Sequence, residues 1–266
     1  MALWHLFLLA VLQGVTEFLP ISSSGHLILL PALTGLDDQG TFLDVAVHVG
    51  TLGAVVLYFW RDVAMGLRGM IKLPKGVSGP EERLALSLIV ATLPVIVAGF
   101  LLKVTVGTEV LRSVALIGWT TLLFGLLLWW FDQKGPSEKK IDDWSMRDAV
   151  KLGLWQAIAL IPGTSRSGIT ITGARAMGYS REDAARIAML MSIPTILASG
   201  TLLSLDLLDD ASGAVLRDGA FAALMAFGAA LAALHLMMRL LQSVSFTPYV
   251  IYRIFLGLGL LAFAYF

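Results

Sequence analysis

Two short polar runs interrupt an otherwise apolar chain, and their side chains are of the kinds that perform group transfer. The first, Gln13-Gly14-Val15-Thr16-Glu17-Phe18-Leu19-Pro20-Ile21-Ser22-Ser23-Ser24-Gly25-His26, holds a carboxylate, three hydroxyls and an imidazole. Gln13 and Glu17 are four apart and so share one face of a helix, and Ser23 and His26 are three apart on the first turn of the next. The second run, Pro162-Gly163-Thr164-Ser165-Arg166-Ser167-Gly168, has no apolar side chain after its proline and carries an arginine. A guanidinium fork matches phosphate oxygens two at a time. Ser22, Ser23, Ser24, Ser165, Ser167 and Thr170 supply further hydroxyls, while Gly25 and Gly168 allow a ligand close to the backbone. A helix starting at each run would aim unpaired N–H groups and its positive dipole end at an anion. Together these groups offer a nucleophile, a proton acceptor and charge stabilisation for phosphoryl transfer, a set that an anion carrier does not need. The plainer reading is that the serines only cap helices.

The elements that must position these runs are set by composition. The chain is 57% apolar and only 14% charged, far below the quarter expected of a soluble domain, which indicates an all-α integral membrane protein. Balanced charge, with 19 basic and 19 acidic residues and no basic run, excludes a nucleic-acid partner. Cysteine is absent, which excludes disulfides and thiolate chemistry. The first apolar stretch has no Lys or Arg before it and no Ala-x-Ala-like site after it, which argues against a cleaved signal peptide.

Length then divides the apolar stretches. Six can cross a bilayer: residues 42–60, 84–102, 113–131, 187–205, 219–238 and 248–266. Residues 1–36 and 152–177 are instead broken by Pro, Gly and Ser, as re-entrant helix hairpins are. An offset of 143 residues lays Ser22-Ser23-Ser24-Gly25 over Ser165-Arg166-Ser167-Gly168, and three spans follow each break. The expected architecture is therefore one membrane domain, 1–266, made of repeat 1 (about 1–131) and repeat 2 (about 150–266). An odd number of spans between the copies makes this an inverted-topology repeat whose hairpin tips meet near the midplane.

Charge orients the domain. Loops 61–83 and 132–151 are basic, and six crossings put both on one face, cytoplasmic by the positive-inside bias. Both termini then lie outside. Pro94 and Pro194 fall within spans and are read as packing kinks. Asp44 and His48, four apart near a span end, could face the cavity but are read first as an interfacial ion pair, His5 and His235 as packing or headgroup contacts, and Arg175, Arg181 and Arg186 as part of the cytoplasmic bias.

The two polar runs resemble the two signature motifs of the undecaprenyl-diphosphate phosphatase, or bacitracin-resistance, family, and the resemblance covers essentially the whole chain. It implies a bacterial plasma-membrane hydrolase that converts the polyprenyl diphosphate carrier of cell-wall synthesis to its monophosphate and inorganic phosphate. It also implies a site open to the outer face and a divalent cation, Mg2+ or Ca2+. Carried onto this sequence, the family pattern makes Glu17, Ser23, His26 and Arg166 catalytic. Gln13, Ser22, Ser24, Gly25, Ser165, Ser167, Gly168 and Thr170 line the site, and Glu17 becomes the metal-binding candidate. Family members that have Glu where this chain has Gln13 carry one more acid. Whether Ser23 attacks or orients a water stays open, as does a homodimer. The rival reading is a secondary transporter or lipid-phosphate flippase, which the same broken-helix architecture would suit.

Overall fold

The computed structural model describes residues 3–23, 25–27, 40–105, 113–204 and 213–266. Among them there is no strand, and six helices are long and apolar enough to cross a membrane. The chain opens with α1 (Leu3–Phe18), whose 16 residues make about 24 Å of helix, short of the roughly 30 Å hydrocarbon core. The spanning helices are α2 (Gly40–Tyr58), α4 (Pro80–Thr105), α5 (Val114–Lys134), α8 (Arg181–Ser204), α9 (Gly213–Leu240) and α10 (Thr247–Tyr265). Between them lie α3 (Trp60–Lys72) and the short pair α6 (Met146–Ala157) and α7 (Arg166–Ala176). Residues 28–36, the expected return limb of the first hairpin, and Ser24 lie outside the described residues.

Helix ends differ from the apolar runs for a physical reason. Hydropathy marks the stretch that meets lipid, whereas a helix ends where its terminal groups find partners. The run beginning at Ile187 belongs to a helix that starts six residues earlier, where Ser180 Oγ accepts the Asp183 N–H at 3.1 Å. Glu81 and Glu82 in the first turn of α4 likewise complement the dipole ahead of its apolar run. The basic stretch 61–83, read above as a loop, is mostly helix, with α3 running to Lys72 and α4 beginning at Pro80. In α3, Leu67, Met70 and Ile71 are exposed, and Arg68 and Lys72 reach Glu81.

Lipid gives helices little hydrophobic reason to associate, so close backbone approach at small residues has to hold them. In the interface of α1 with α9, a Cβ on Gly14 would lie 2.6 Å from Ala226 O, and where α2 meets α9, one on Gly50 would lie 2.1 Å from Ala223 O. Helix α9 thus binds α1 to α2. On the other side α10 packs along α5, and α6 packs along α4. Pro94 sits inside α4, where its ring would meet any side chain on Gly153 of α6, and Pro194 sits inside α8.

Polar ties fasten the end of α7. Arg175, 1% exposed, donates to the carbonyls of Asp132, Gly135, Pro136 and Tyr179, and Asp132 also accepts from Arg181 Nε at 2.7 Å. Arg186 pairs with Asp62 of α3. The three arginines assigned above to a general charge bias are therefore specific fasteners. Asp148 accepts from Lys139 Nζ at 3.0 Å and Tyr179 Oη at 2.9 Å. Burial pushes its carboxyl up, but those two donors outweigh burial and hold it below its usual value, while burial and Asp148 push the Tyr179 phenol up.

Candidate active site

Both breaks are built by the same local device. After α6 a 3-10 turn (Ile158–Leu160) leads into Gly163 and Ser165, both at positive φ, and α7 starts at Arg166 with Ser165 Oγ accepting the Gly168 N–H at 3.1 Å. After α1 the chain turns through Pro20 to Ser22, also at positive φ, whose Oγ accepts the Gly25 N–H at 3.4 Å. Ser22 (φ 74°) and Ser165 (φ 70°) are the non-glycine residues of positive φ among the described residues, and they stand 143 apart. Such a conformation costs an L-residue energy, which the caps and the contacts around each break must offset.

The breaks touch, and a carboxylate lies at the seam. Glu17, at the end of α1 and 7% exposed, receives Arg166 Nη2 on Oε1 at 2.8 Å. Its Oε2 receives Ser23 Oγ at 2.9 Å and Gln13 Nε2 at 2.8 Å. Ser167 Oγ, which is 3.1 Å from Ser165 Oγ, donates to Leu19 O at 3.0 Å and stitches the second break to the first. Among the described residues, Arg166 Nη1 and Gln13 Oε1 are buried without a partner. A buried donor left unpaired costs about 1–3 kcal/mol, so a guanidinium with one free arm is suited to take up an anion's oxygen.

Not every expected residue joins this group. His26 Nδ1 donates to Ser22 O at 2.7 Å, which leaves Nε2 to accept from Tyr252 Oη at 2.5 Å, and the two rings stack. Among the described residues no hydrogen bond links His26 to Glu17, Ser23 or Arg166. The expected convergence of four groups is thus three, with His26 turned to α10. Thr170 Oγ1 bonds back to Arg166 O at 2.9 Å, so its hydroxyl is spent within α7 rather than lining a pocket. Gly168 makes room for Arg253, whose Nη1 would lie 2.9 Å from an added Cβ, and a Cβ on Gly25 would make only ordinary contacts with Ile117 and Ser22.

Two residues outside the expected site set belong here. His48 is no interfacial ion-pair member: its Nε2 is 3.1 Å from Gln13 Nε2 and 3.7 Å from Glu17 Oε2, while Nδ1 donates to Asp44 O at 2.6 Å. Arg253 of α10 is fully buried and donates to Thr121 O, Pro20 O, Gly163 O and Thr164 O. It holds both breaks at once, helped by Thr120 Oγ1 to Pro162 O and Thr121 Oγ1 to Gly163 O. A charge in the middle of a spanning helix was the available signal for Arg253. For His48 the spacing from Asp44 left a cavity-facing position open beside the ion pair.

Beside the break an apolar groove of about 470 Å³ runs between α1, α9 and the start of α10, lined by Val15, Leu19, Leu236, Met237, Leu240 and Tyr249 among others. Leu19 therefore belongs to the groove through its side chain and to the seam through its carbonyl.

Comparison with known proteins places the chain in a family. Residues 6–259 match the family model described as bacitracin resistance protein BacA. The chain belongs to that family. It is 66% identical to a protein of Ruegeria pomeroyi and 63% identical to one of Jannaschia sp., each over the full length of both chains, and each of those relatives is named undecaprenyl-diphosphatase. A Rhodospirillum rubrum relative, named undecaprenyl-diphosphatase 1, is 45% identical over all of this chain and 96% of its own.

Proposed function

We propose that this protein hydrolyses the terminal phosphoanhydride bond of undecaprenyl diphosphate, yielding undecaprenyl phosphate and inorganic phosphate, and so recycles the lipid carrier of peptidoglycan synthesis and gives bacitracin resistance. The observation that carries the reading is Glu17 bonded at once to Arg166 across the seam and to Ser23 within it. The names of the full-length relatives point the same way.

In this mechanism the terminal phosphoryl group occupies the seam, with one oxygen on the free Nη1 of Arg166 and others toward the N-terminal turn of α7. Glu17 Oε2 takes the proton of Ser23 Oγ as that oxygen attacks phosphorus, or Ser23 orients a water that attacks instead. The bond from phosphorus to the bridging oxygen breaks, the lipid monophosphate leaves, and in the first case water then releases phosphate from the serine. Bonded to Ser22 O and Tyr252, His26 acts by holding the turn that presents Ser23. The polyprenyl tail occupies the apolar groove, since Leu19 makes groove and seam continuous.

Magnesium or calcium fits the same residues. Among the described residues no cluster of three or more His, Cys, Asp or Glu exists, but Glu17 together with the unpartnered Gln13 Oε1 and the substrate phosphates suits a cation that keeps several waters. Once bound, such a cation would neutralise charge on the phosphate oxygens.

The architecture that supports this reading is one membrane domain of two inverted repeats. In it α1 and the break that follows it belong to one re-entrant hairpin, and α6 with α7 forms the other. The paired Ser22 and Ser165 turns, the 143-residue offset and the shortness of α1, α6 and α7 favour it. Basic stretches at one end of the spans favour a plasma-membrane orientation with both termini outside and the site open to the outer face. The rival carrier reading has no use for a serine hydrogen-bonded to a carboxylate. Purified protein in detergent, supplied with undecaprenyl diphosphate and Mg2+ or Ca2+, is expected to release phosphate. No release with either cation would end the phosphatase reading, and near wild-type turnover in Glu17→Ala and Arg166→Ala would end this site.

A further inference from the structure

We propose that His48 is a nitrogen ligand for a divalent cation held with Gln13 and Glu17, which makes this chain's site selective for manganese over calcium. The inference rests on the phosphatase reading for its biological use, but its geometry stands alone.

Three polar atoms form a small triangle: Gln13 Nε2 to Glu17 Oε2 is 2.8 Å, Gln13 Nε2 to His48 Nε2 is 3.1 Å, and Glu17 Oε2 to His48 Nε2 is 3.7 Å. Donation from His48 Nδ1 to Asp44 O puts the ring proton on Nδ1, so Nε2 presents a lone pair to the triangle. That is how ligating imidazoles are held: the far nitrogen donates to a backbone carbonyl and the near one is left basic. Carboxylate and imidazole, two acceptors, therefore face each other across a single Gln13 amide nitrogen. Ser23 Oγ also donates to Glu17 Oε2, but among the described residues the Gln13 amide is the donor that bridges carboxylate and imidazole, and there its own Oε1 is buried without a partner, on a residue 0% exposed.

A half-turn of the Gln13 amide exchanges the two atoms and brings Oε1 to the corner that Nε2 now fills. Three acceptors then converge, and a cation satisfies all of them. The triangle's edges resemble the separation of about 3 Å between neighbouring ligands in a shell with bonds of about 2.1 Å. Arg166 occupies Oε1 of Glu17; Oε2 accepts from Ser23 Oγ at 2.9 Å and keeps a second lone pair for the cation once the Gln13 amide has turned, and His48, with its side chain 33% exposed, leaves room for waters and phosphate oxygens in the remaining positions. Imidazole nitrogen favours manganese and later first-row metals, whereas calcium takes oxygen ligands almost exclusively.

Pulsed electron paramagnetic resonance of the purified full-length protein with Mn2+ alone tests this without turnover. The wild type is expected to show nitrogen modulation from one imidazole. Biosynthetic 15N labelling of histidine should convert it to the 15N pattern, which needs no variant to fold. His26→Gln should keep the signal. His48→Gln, which retains an oxygen donor, should still bind Mn2+ but lose the modulation, and its Mn2+ to Ca2+ affinity ratio should fall by roughly tenfold or more. Modulation that survives in His48→Gln, or that is absent from the wild type, overturns the inference. If the wild type releases phosphate yet shows no nitrogen, only the ligand assignment fails. If nitrogen is seen and no phosphate is released, the cation site stands and the phosphatase reading fails.

Discussion

Replacing Arg253 with lysine should cost turnover about 100-fold while leaving KM close to wild type. Arg253 is 0% exposed, and its four hydrogen bonds end on Thr121 O of α5, Pro20 O of the first break, and Gly163 O and Thr164 O of the second. A lysine ammonium places three donors at one point and cannot span acceptors on three segments. If it keeps two bonds and loses two, the loss at about 1.5–3 kcal/mol for each charged hydrogen bond is about 3–6 kcal/mol of tethering. Pro20 follows Glu17 by three residues and Gly163 precedes Arg166 by three, so slack at either end lengthens the 2.8 Å bridge between them. A misplacement near 1 Å in reacting groups costs about 100-fold in rate, or about 2.7 kcal/mol, which the lost tethering is large enough to permit. KM is spared because the side chain is buried against backbone rather than against the groove that takes the lipid. Steady-state phosphate release over a range of substrate gives kcat and KM separately, with the thermal midpoint in detergent recorded alongside. A lysine variant with wild-type kcat would refute the argument, as would a loss confined to KM.

Three further outcomes follow from the same contacts. Glu17→Gln keeps the shape but removes the proton acceptor of Ser23 and the charge opposite Arg166, so kcat for phosphate release should fall by about 100- to 10,000-fold with folding intact. Gly50→Ala places a methyl 2.1 Å from Ala223 O and must push α2 from α9, which should cost about 1–3 kcal/mol and lower the thermal midpoint, whereas Gly228→Ala, with nothing within 4 Å, should not. Asp148, held below its usual carboxyl value of 3.8, contributes stability that is present above that value and lost as pH falls through its lower folded value; the gap in thermal midpoint between wild type and Asp148→Asn should therefore be widest near neutral pH and close below about pH 4.

How much of the site could be read in the chain differs residue by residue. Glu17, Ser23 and Arg166 were legible because each is a polar group in an apolar stretch, where it persists only with a partner. Their mutual contact was legible as well, from the 143-residue echo between the two breaks. The partner of His26 was not legible because a spacing of three says which face of a helix two residues share and not what stands opposite; Tyr252, 226 residues away, stands there. His48 escaped because Asp44 lies four before it, and an acid–histidine pair at that spacing is a sufficient local explanation. In the structure the contact with residue 44 is through its backbone carbonyl, and the ring's other nitrogen faces α1.

The sequence by itself determined that the chain is helical and membrane-borne, where the six long apolar helices lie, and which two short runs interrupt the pattern. Those properties are local: composition and the length of an apolar run decide whether a segment can leave water, and Pro, Gly and Ser decide where a helix must stop. Only the tertiary structure decided that α9 would join α1 to α2 through Gly14 and Gly50, that Arg253 would tie both breaks to α5, and that His48 rather than His26 would stand beside Glu17. Each of these is a contact between residues far apart in the chain, chosen by which helix faces can approach closely enough to satisfy buried polar groups, and that choice is made by all the helices packing together.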